Sequence, residues 1–342
     1  MGNKVTEFIA EISKKIGITE IIINNLDNIY VEKDGELIRL DIQLPEEDIN
    51  EFCESIAEYN KKEFDAFSPV LDGNTPDGSR INIIHKDYTS RCHAITIRRY
   101  TKSIKNFDTS PNIFELNEDW MFFLKILVRA KMNIVVAGGT GVGKTTFLNL
   151  LLQEVPPKER IITIEDTREL QFKLPNVVRL EARPTVGENK GLTIRDLVKN
   201  TLRMRPDRII VGECRGSEVF DLLQAMNTGH EGSMTSVHAN SPGESYMRLE
   251  NLYLLAGFDL PIKALRYQMA SAIDYIVQIK RDRDGKRIVS QVVEVGNLEG
   301  DKILSQDVGV LKGGKLEFTG LVPSTMDRLI KAGLPKDFFT GK

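Results

Sequence analysis

Residues 138–146 read GGTGVGKTT and fit the pattern G-x-x-x-x-G-K-[ST] at Gly138, Gly143, Lys144 and Thr145. Glycines at this spacing let consecutive backbone N–H groups curl around phosphate oxygens, and a helix opening at Lys144 would add its positive end. Gly138, Gly139, Thr140, Gly141, Val142, Gly143, Lys144, Thr145 and Thr146 therefore form a candidate nucleotide-phosphate cradle. Within it Lys144 would reach the β/γ-phosphates and the Thr145 hydroxyl would ligate Mg²⁺. The overlapping G-x-G-x-G run is not a dinucleotide fingerprint, because Lys and Thr occupy the start of the helix. A guanine-reading N-K-x-D sequence is missing, since NKGL at 189–192 lacks the aspartate.

Two further apolar stretches end in acids, IITIED at Glu165-Asp166 and RIIVGE at Glu213. Strand ends beside a phosphate loop aim carboxylates at the γ-phosphate and its metal. One acid must polarise the attacking water, and the others must hold Mg²⁺ directly or through water. The position where an aspartate is usual in the second stretch is Gly212, so Glu213 stands alone there. Residues 228–240, TGHEGSMTSVHAN, hold two of the four histidines, His230 and His238. His230-Glu231 begins like the zinc signature H-E-x-x-H, which needs two histidines four apart on one helix face. Met234 stands where the second histidine should be, and Gly229 and Gly232 interrupt any helix, so the zinc reading fails.

The elements that must position these groups alternate along the chain. From 118 onward the pattern is helix (NEDWMFFLKILVRAK), strand (NIVVAG), helix from Lys144, strand (RIITIED), and helix (TIRDLVKNTLRMR). That last helix carries Ile194, Leu197, Val198, Thr201 and Leu202 on one face. RIIVGE, EVFDLLQAMNTG, SMTSVHAN and a helix opening at Ser241-Pro242 follow, which together predict a mostly parallel sheet with helices on both faces. From Tyr275 onward Asp-Gly and Gly-Gly turns predict β-hairpins, then a short helix near STMDRLIKAG. Residues 1–100 read as a smaller α+β domain, with VTEFIAEISKKIG and PEEDINEFCESIAEYN as helices and KDGE as a hairpin turn. Residues 101–117, with Ser110-Pro111, read as a linker.

The composition is that of an ordinary globular chain: 342 residues, 41% hydrophobic and 28% charged, with a net charge of −3. The first 60 residues hold fourteen Asp/Glu and five Lys/Arg, an acidic lobe that speaks against nucleic-acid binding. Cys53, Cys92 and Cys214 are scattered, which disfavours a disulfide framework and fits a reducing cytosol. No signal peptide or membrane-length apolar run is expected, so any membrane role would come through partners.

The order GGTGVGKTT, IEDTREL, LRMRPDRIIVGECRG, TGHEGSMTSVHAN resembles the type II/IV secretion-system ATPases, hexameric motors with Walker A, Asp box, Walker B and His box. EARP, LLQAMNTGHEG and LAGFDLPIKALRYQMASAIDYIVQ look most like the CpaF branch, the motors of Tad/Flp-type pili, and ITEIIINNLDNIYVEKDGEL, PDGSR and TIRRY match in the N-terminal part. The resemblance implies a RecA-like P-loop domain behind the smaller α+β domain, ATP and Mg²⁺ as cofactors, and a cytoplasmic homohexamer at an inner-membrane platform protein. It makes Glu213 the water-activating acid, puts Glu165 and Asp166 near the metal, and sets His238 near the γ-phosphate with His230 a more distant member of the same box. Arg80, Arg98 and Arg99 match arginines that face nucleotide in this family, and whether any acts from a neighbouring subunit stays open. Arg203 and Arg215 also match, as phosphate sensors or as salt-bridge scaffolding. A conjugative type IV secretion ATPase and a non-hydrolysing nucleotide-regulated scaffold are the rival readings. Two departures from the family are expected, a missing helical extension before the core and a missing tetracysteine zinc module, and the second, with only three cysteines in the sequence, disfavours the type II branch.

Overall fold

The computed structural model describes residues 3–15, 17–33, 36–99, 106–110, 113–183, 191–255, 257 and 260–340. The Asp34-Gly35 centre of the expected hairpin turn and residues 101–105 and 111–112 of the expected linker lie outside these residues. The chain divides into two compact units, Met1–Ser103 and Ile104–Lys342. Phe107, Phe114 and Leu116, also expected in the linker, are instead buried in the core of the second unit.

The first unit runs α1 (Lys4–Ile12), β1 (Ile18–Ile23), β2 (Ile29–Lys33), β3 (Glu36–Leu40), α2 (Glu46–Asn60), β4 (Val70–Asn74), β5 (Arg80–Ile84) and β6 (Ala94–Arg98). Its six strands form one antiparallel sheet in the order β3-β2-β1-β6-β5-β4. Alternate sheet residues such as Ile21, Ile23, Ile81 and Ile97 pack with Ile49, Phe52 and Ile56 of α2 in a core of their own. β4 escapes a reading of local signals because VLDGN has turn-like composition. The Asn60 side chain explains its pairing: it accepts from Asn74 N (2.9 Å) and donates to Asn74 O (2.9 Å), locking α2 to the strand. Gly73 is needed there, since a Cβ would stand 2.5 Å from Asn60 Oδ1.

The second unit runs α3 (Glu118–Arg129), β7 (Ile134–Gly138), α4 (Lys144–Leu152), β8 (Ile161–Glu165), β9 (Val177–Glu181), α5 (Ile194–Thr201), β10 (Arg208–Val211), α6 (Glu218–Asn227) and β11 (Met234–His238). It continues through α7 (Pro242–Leu254), α8 (Ile262–Ala272), β12 (Tyr275–Arg281), β13 (Arg287–Glu299), β14 (Lys302–Lys312), β15 (Lys315–Phe318) and α9 (Met326–Lys331). The sheet order is β15-β14-β13-β12-β7-β11-β10-β8-β9. From β12 to β9 all neighbours are parallel, and β12 to β15 extend the sheet antiparallel. Every residue of β7, β8 and β10 is buried, as a sheet covered on both faces requires. Ile134 and Val136 face α3, α4 and α9, while Val135 and Ala137 face α5 to α8.

This is the expected α/β architecture, with two differences of detail. β9 is an additional parallel edge strand whose residues are all half-buried, so its apolar pattern is weak. α5 stops at Thr201, and Leu202 is 40% exposed rather than part of the buried face. α5 is instead fixed at its start, where Thr193 and Asp196 form a reciprocal capping box.

Candidate active site

The parallel strands place their C-terminal ends on one edge of the sheet. Gly138 of β7 lies level with His238 of β11 on one side and Ile279 of β12 on the other. The chain leaves β7 through residues 139–143 and enters α4 at Lys144. Gly141 and Gly143 take positive φ of 71° and 99°, a region in which glycine carries no Cβ penalty. Gly138 is glycine for contact reasons, since a Cβ would sit 2.8 Å from the Ile279 carbonyl and 2.6 Å from Val142 Cγ2. The result is a loop of backbone N–H groups running into a helix N-terminus, a geometry suited to anions. Lys144 Nζ is folded back on the loop, donating to Gly138 O (3.2 Å) and Gly139 O (3.0 Å).

The three acids sit in different surroundings. Glu213 lies just beyond β10, with Oε1 3.6 Å from Lys144 Nζ. Its Oε2 accepts from Arg215 Nε (2.8 Å) and Nη2 (2.5 Å). Arg215 also reaches Asp166 Oδ2 at 2.5 Å, so one guanidinium bridges both carboxylates. Glu165 is 3% exposed, and its Oε1 accepts from the backbone N–H of Glu169 and Leu170, both at 2.9 Å. Burial pushes its carboxyl up to about 7 despite those two hydrogen bonds. Among the described residues, its buried Oε2 has no hydrogen-bond partner.

The turn that Glu165 holds presents Glu169, whose Oε2 accepts from the Thr145 hydroxyl at 3.1 Å. Glu169, absent from the sequence-based candidates, is thus the carboxylate on the Thr145 hydroxyl, while Glu165 supports it and Asp166 is held by Arg215. The signal that could have found it is spacing: a turn after β8 returns residue 169 toward the start of α4. Gly212 has a physical reason as well, because a Cβ there would meet Glu165 Cγ at 3.0 Å. The β8 acid fills the space that a side chain on β10 would need.

The two histidines separate. His238 is the exposed last residue of β11, on the same strand side as Met234, which packs in the core beneath α4. His230 lies before β11 begins, at the opposite end of the strand, with Nδ1 3.2 Å from Ala225 O at the C-terminus of α6. Gly229 (φ 98°) lets the chain turn there, and Gly232 (φ 80°) leaves room for Arg208. Of the remaining arginines, Arg80 and Arg98 sit directly opposite each other on β5 and β6 of the first unit. Arg80 pairs with Asp72 (3.4 Å), and Arg99 donates to the carbonyls of Ser13, Lys15 (3.2 Å) and Ile18 (2.9 Å) after α1. Arg99 therefore ties down the end of α1.

A family model described as type II/IV secretion system protein matches residues 3–310. The conjugal transfer protein TrbB of Rhizobium radiobacter is 32% identical over 287 residues, covering 83% of this chain and 84% of that protein. The type IV secretion system protein PtlH of Bordetella pertussis is 40% identical over 188 residues, covering 53% of this chain and 54% of its own. Among solved structures, the ATPase DotB of Legionella pneumophila superposes with a TM-score of 0.59 at 19% identity, covering 88% of this chain and 82% of that one.

Proposed function

The chain belongs to the type II/IV secretion system protein family, and from that premise we propose that it is an ATP-hydrolysing motor with a RecA-like second unit. The observation that carries this reading is the convergence of Lys144, Thr145, Glu169 and Glu213 on one phosphate-type loop. Lys144, now held by loop carbonyls, would exchange them for phosphate oxygens. Glu213, beside Lys144, is placed to orient and deprotonate water once Arg215 releases it. His238 stands at the end of the neighbouring strand, level with Gly138, as a sensor of the terminal phosphate.

Thr145 and Glu169 supply the hard oxygen donors that suit Mg²⁺, which is held by one or two protein groups plus substrate phosphates. When bound there, Mg²⁺ would neutralise phosphate charge as the terminal bond breaks. The loop and Lys144 orient the phosphates, and catalysis is then mainly positional and electrostatic.

The finer reading is a homohexamer that works at an inner-membrane platform protein in Tad-type pilus assembly or retraction. The CpaF-like phrases in the second unit support it. Conjugative secretion is a second reading, favoured by the likeness to TrbB. Phosphate release from Mg-ATP tests the enzyme. Lys144→Ala should abolish nucleotide binding or turnover, and Glu213→Gln should bind ATP but turn over about 10²–10⁴-fold more slowly. Unchanged turnover in Glu213→Gln would remove it as the base. Stimulation of turnover by DNA would favour the conjugative reading over the pilus one.

A further inference from the structure

The β12–β13 hairpin is tied to the phosphate loop by an arginine that the mechanism above does not use. Arg281 Nη2 donates to Gly141 O at 3.1 Å, and Nη1 donates to Gly285 O at 2.8 Å within its own hairpin. Arg287, directly opposite Arg281 in the strand register, extends along the other end of the loop. A Cβ built on Gly143 would lie 3.1 Å from Arg287 Cδ and 3.3 Å from its Nη1.

Like charges directly opposite each other on paired strands are destabilising. The surrounding sequence KRDRDGKR adds to the excess, with five basic and two acidic residues. Within the turn, Asp282 Oδ1 accepts from Asp284 N (2.9 Å) and Lys286 N (2.8 Å), and Lys286 Nζ lies 3.9 Å from Glu115 Oε1. Such a pair of guanidiniums on the rim of an anion-binding loop is what an anionic ligand group would stabilise.

Sheet order decides which part of the ligand lies there. His238, Glu213 and the Glu165–Glu169 turn stand at the ends of β11, β10 and β8, all on one side of β7. β12 is the neighbour of β7 on the other side. A nucleotide whose terminal phosphate points to the acids runs along the loop and brings its α-phosphate and ribose to the β12 side.

We propose that Arg281, with Arg287 opposite it, binds the α-phosphate and ribose of the nucleotide, making the β12–β13 hairpin the nucleoside-end wall of the site. The assignment rests on the phosphate-loop reading of residues 138–146. The guanidinium retains donors beyond the two it gives to Gly141 and Gly285, so it can hold the loop and the ligand together. A nucleotide seated there would also brace the strand that begins the antiparallel half of the sheet.

Binding of Mg-ATP and of Mg-pyrophosphate to the full chain, measured by titration calorimetry, separates the possibilities. Pyrophosphate can fill the β- and γ-phosphate positions but has neither α-phosphate nor ribose. Arg281→Ala, the milder Arg281→Gln and Arg287→Ala should each weaken ATP roughly tenfold or more, the size of a lost charge-assisted hydrogen bond. Pyrophosphate affinity should stay within about twofold of wild type, which also shows that the loop remains folded. Equal losses for both ligands would mean that Arg281 only props Gly141, and unchanged ATP affinity would mean that it touches no ligand; either result overturns the proposal. If the wild-type chain binds neither ligand, the phosphate-loop reading fails instead.

Discussion

Glu165 and Glu169 show how one carboxylate can position another. The buried Glu165 carboxyl, with its ionisation pushed up to about 7, accepts the N–H of Glu169 and so aims that side chain at the Thr145 hydroxyl. The raised value makes stability depend on pH in a definite direction. An unfolded glutamate releases its proton near pH 4.3, whereas the folded Glu165 keeps it to about 7. Between these values the unfolded state binds fewer protons than the folded one, so stability falls as pH rises and the loss is complete above 7. Glu165→Gln keeps an acceptor at this position without the charge. The ligand-free variant should therefore gain on wild type between pH 5 and 8, by up to roughly 3 kcal/mol, in urea unfolding. A constant difference across that range would sink the assignment. If Thr145 holds Mg²⁺ as proposed, Glu169, which accepts from the Thr145 hydroxyl, is the carboxylate placed beside it. Glu169→Ala should raise the Mg²⁺ concentration for half-maximal turnover by about tenfold or more, and Asp166→Asn should move it less, because Arg215 already holds Asp166. A larger effect at Asp166 would return the metal to it.

At the scale of elements, the stretch TGHEGSMTSVHAN is two structures joined end to end. Its first half closes α6 and makes room for Arg208, and its second half is β11. Arg208 is fully buried, with Nε 2.7 Å from Glu159 Oε2 and Nη2 2.9 Å from Val128 O, so it ties β10 to the loop before β8 and to α3. A Cβ on Gly232 would lie 2.4 Å from Arg208 Nη1, and the residue already has φ of 80°. Gly232→Ala should therefore destabilise the fold by at least about 2 kcal/mol, through left-handed strain and displacement of a buried ion pair. A urea midpoint close to wild type would contradict this. The same stretch marks what the sequence makes legible. Apolar runs and glycine spacing locate β7, β8, β10 and β11, because each strand is buried on both faces. Side-chain partners are not local information. That Arg215 bridges Glu213 and Asp166, and that Glu169 returns to Thr145, depends on two loops meeting at one sheet edge. β4 and β9 escape notice because composition and burial give weak local signals, although β4 forms a hairpin with β5 and β9 pairs in parallel with β8.

For the whole molecule, the division into two units has energetic content. Each unit has its own buried core, one around Ile21, Ile81 and Phe52, the other split over the two faces of the larger sheet. Every group assigned to phosphate or metal, from Gly138 to Arg287, belongs to the second unit, whereas Arg80, Arg98 and Arg99 belong to the first. The resemblance to secretion ATPases gives those three arginines a part in hydrolysis, but Arg99 already serves the end of α1. A fragment of residues 104–342 separates binding from turnover. It should unfold cooperatively, and Mg-ATP at one hundred times its dissociation constant should stabilise it by about 2.7 kcal/mol, as ligand linkage requires. Failure to bind would show that the second unit does not carry the site alone. If Arg80 or Arg98 supplies charge to the transition state, fragment turnover should fall by about 10³-fold or more, the range seen for arginine fingers. The full-length Arg98→Ala variant should reproduce much of that loss with ATP affinity nearly intact. Full turnover in both fragment and variant would confine the chemistry to the second unit and leave Arg80 and Arg98 as partners of Asp72 and Glu20 in their own sheet.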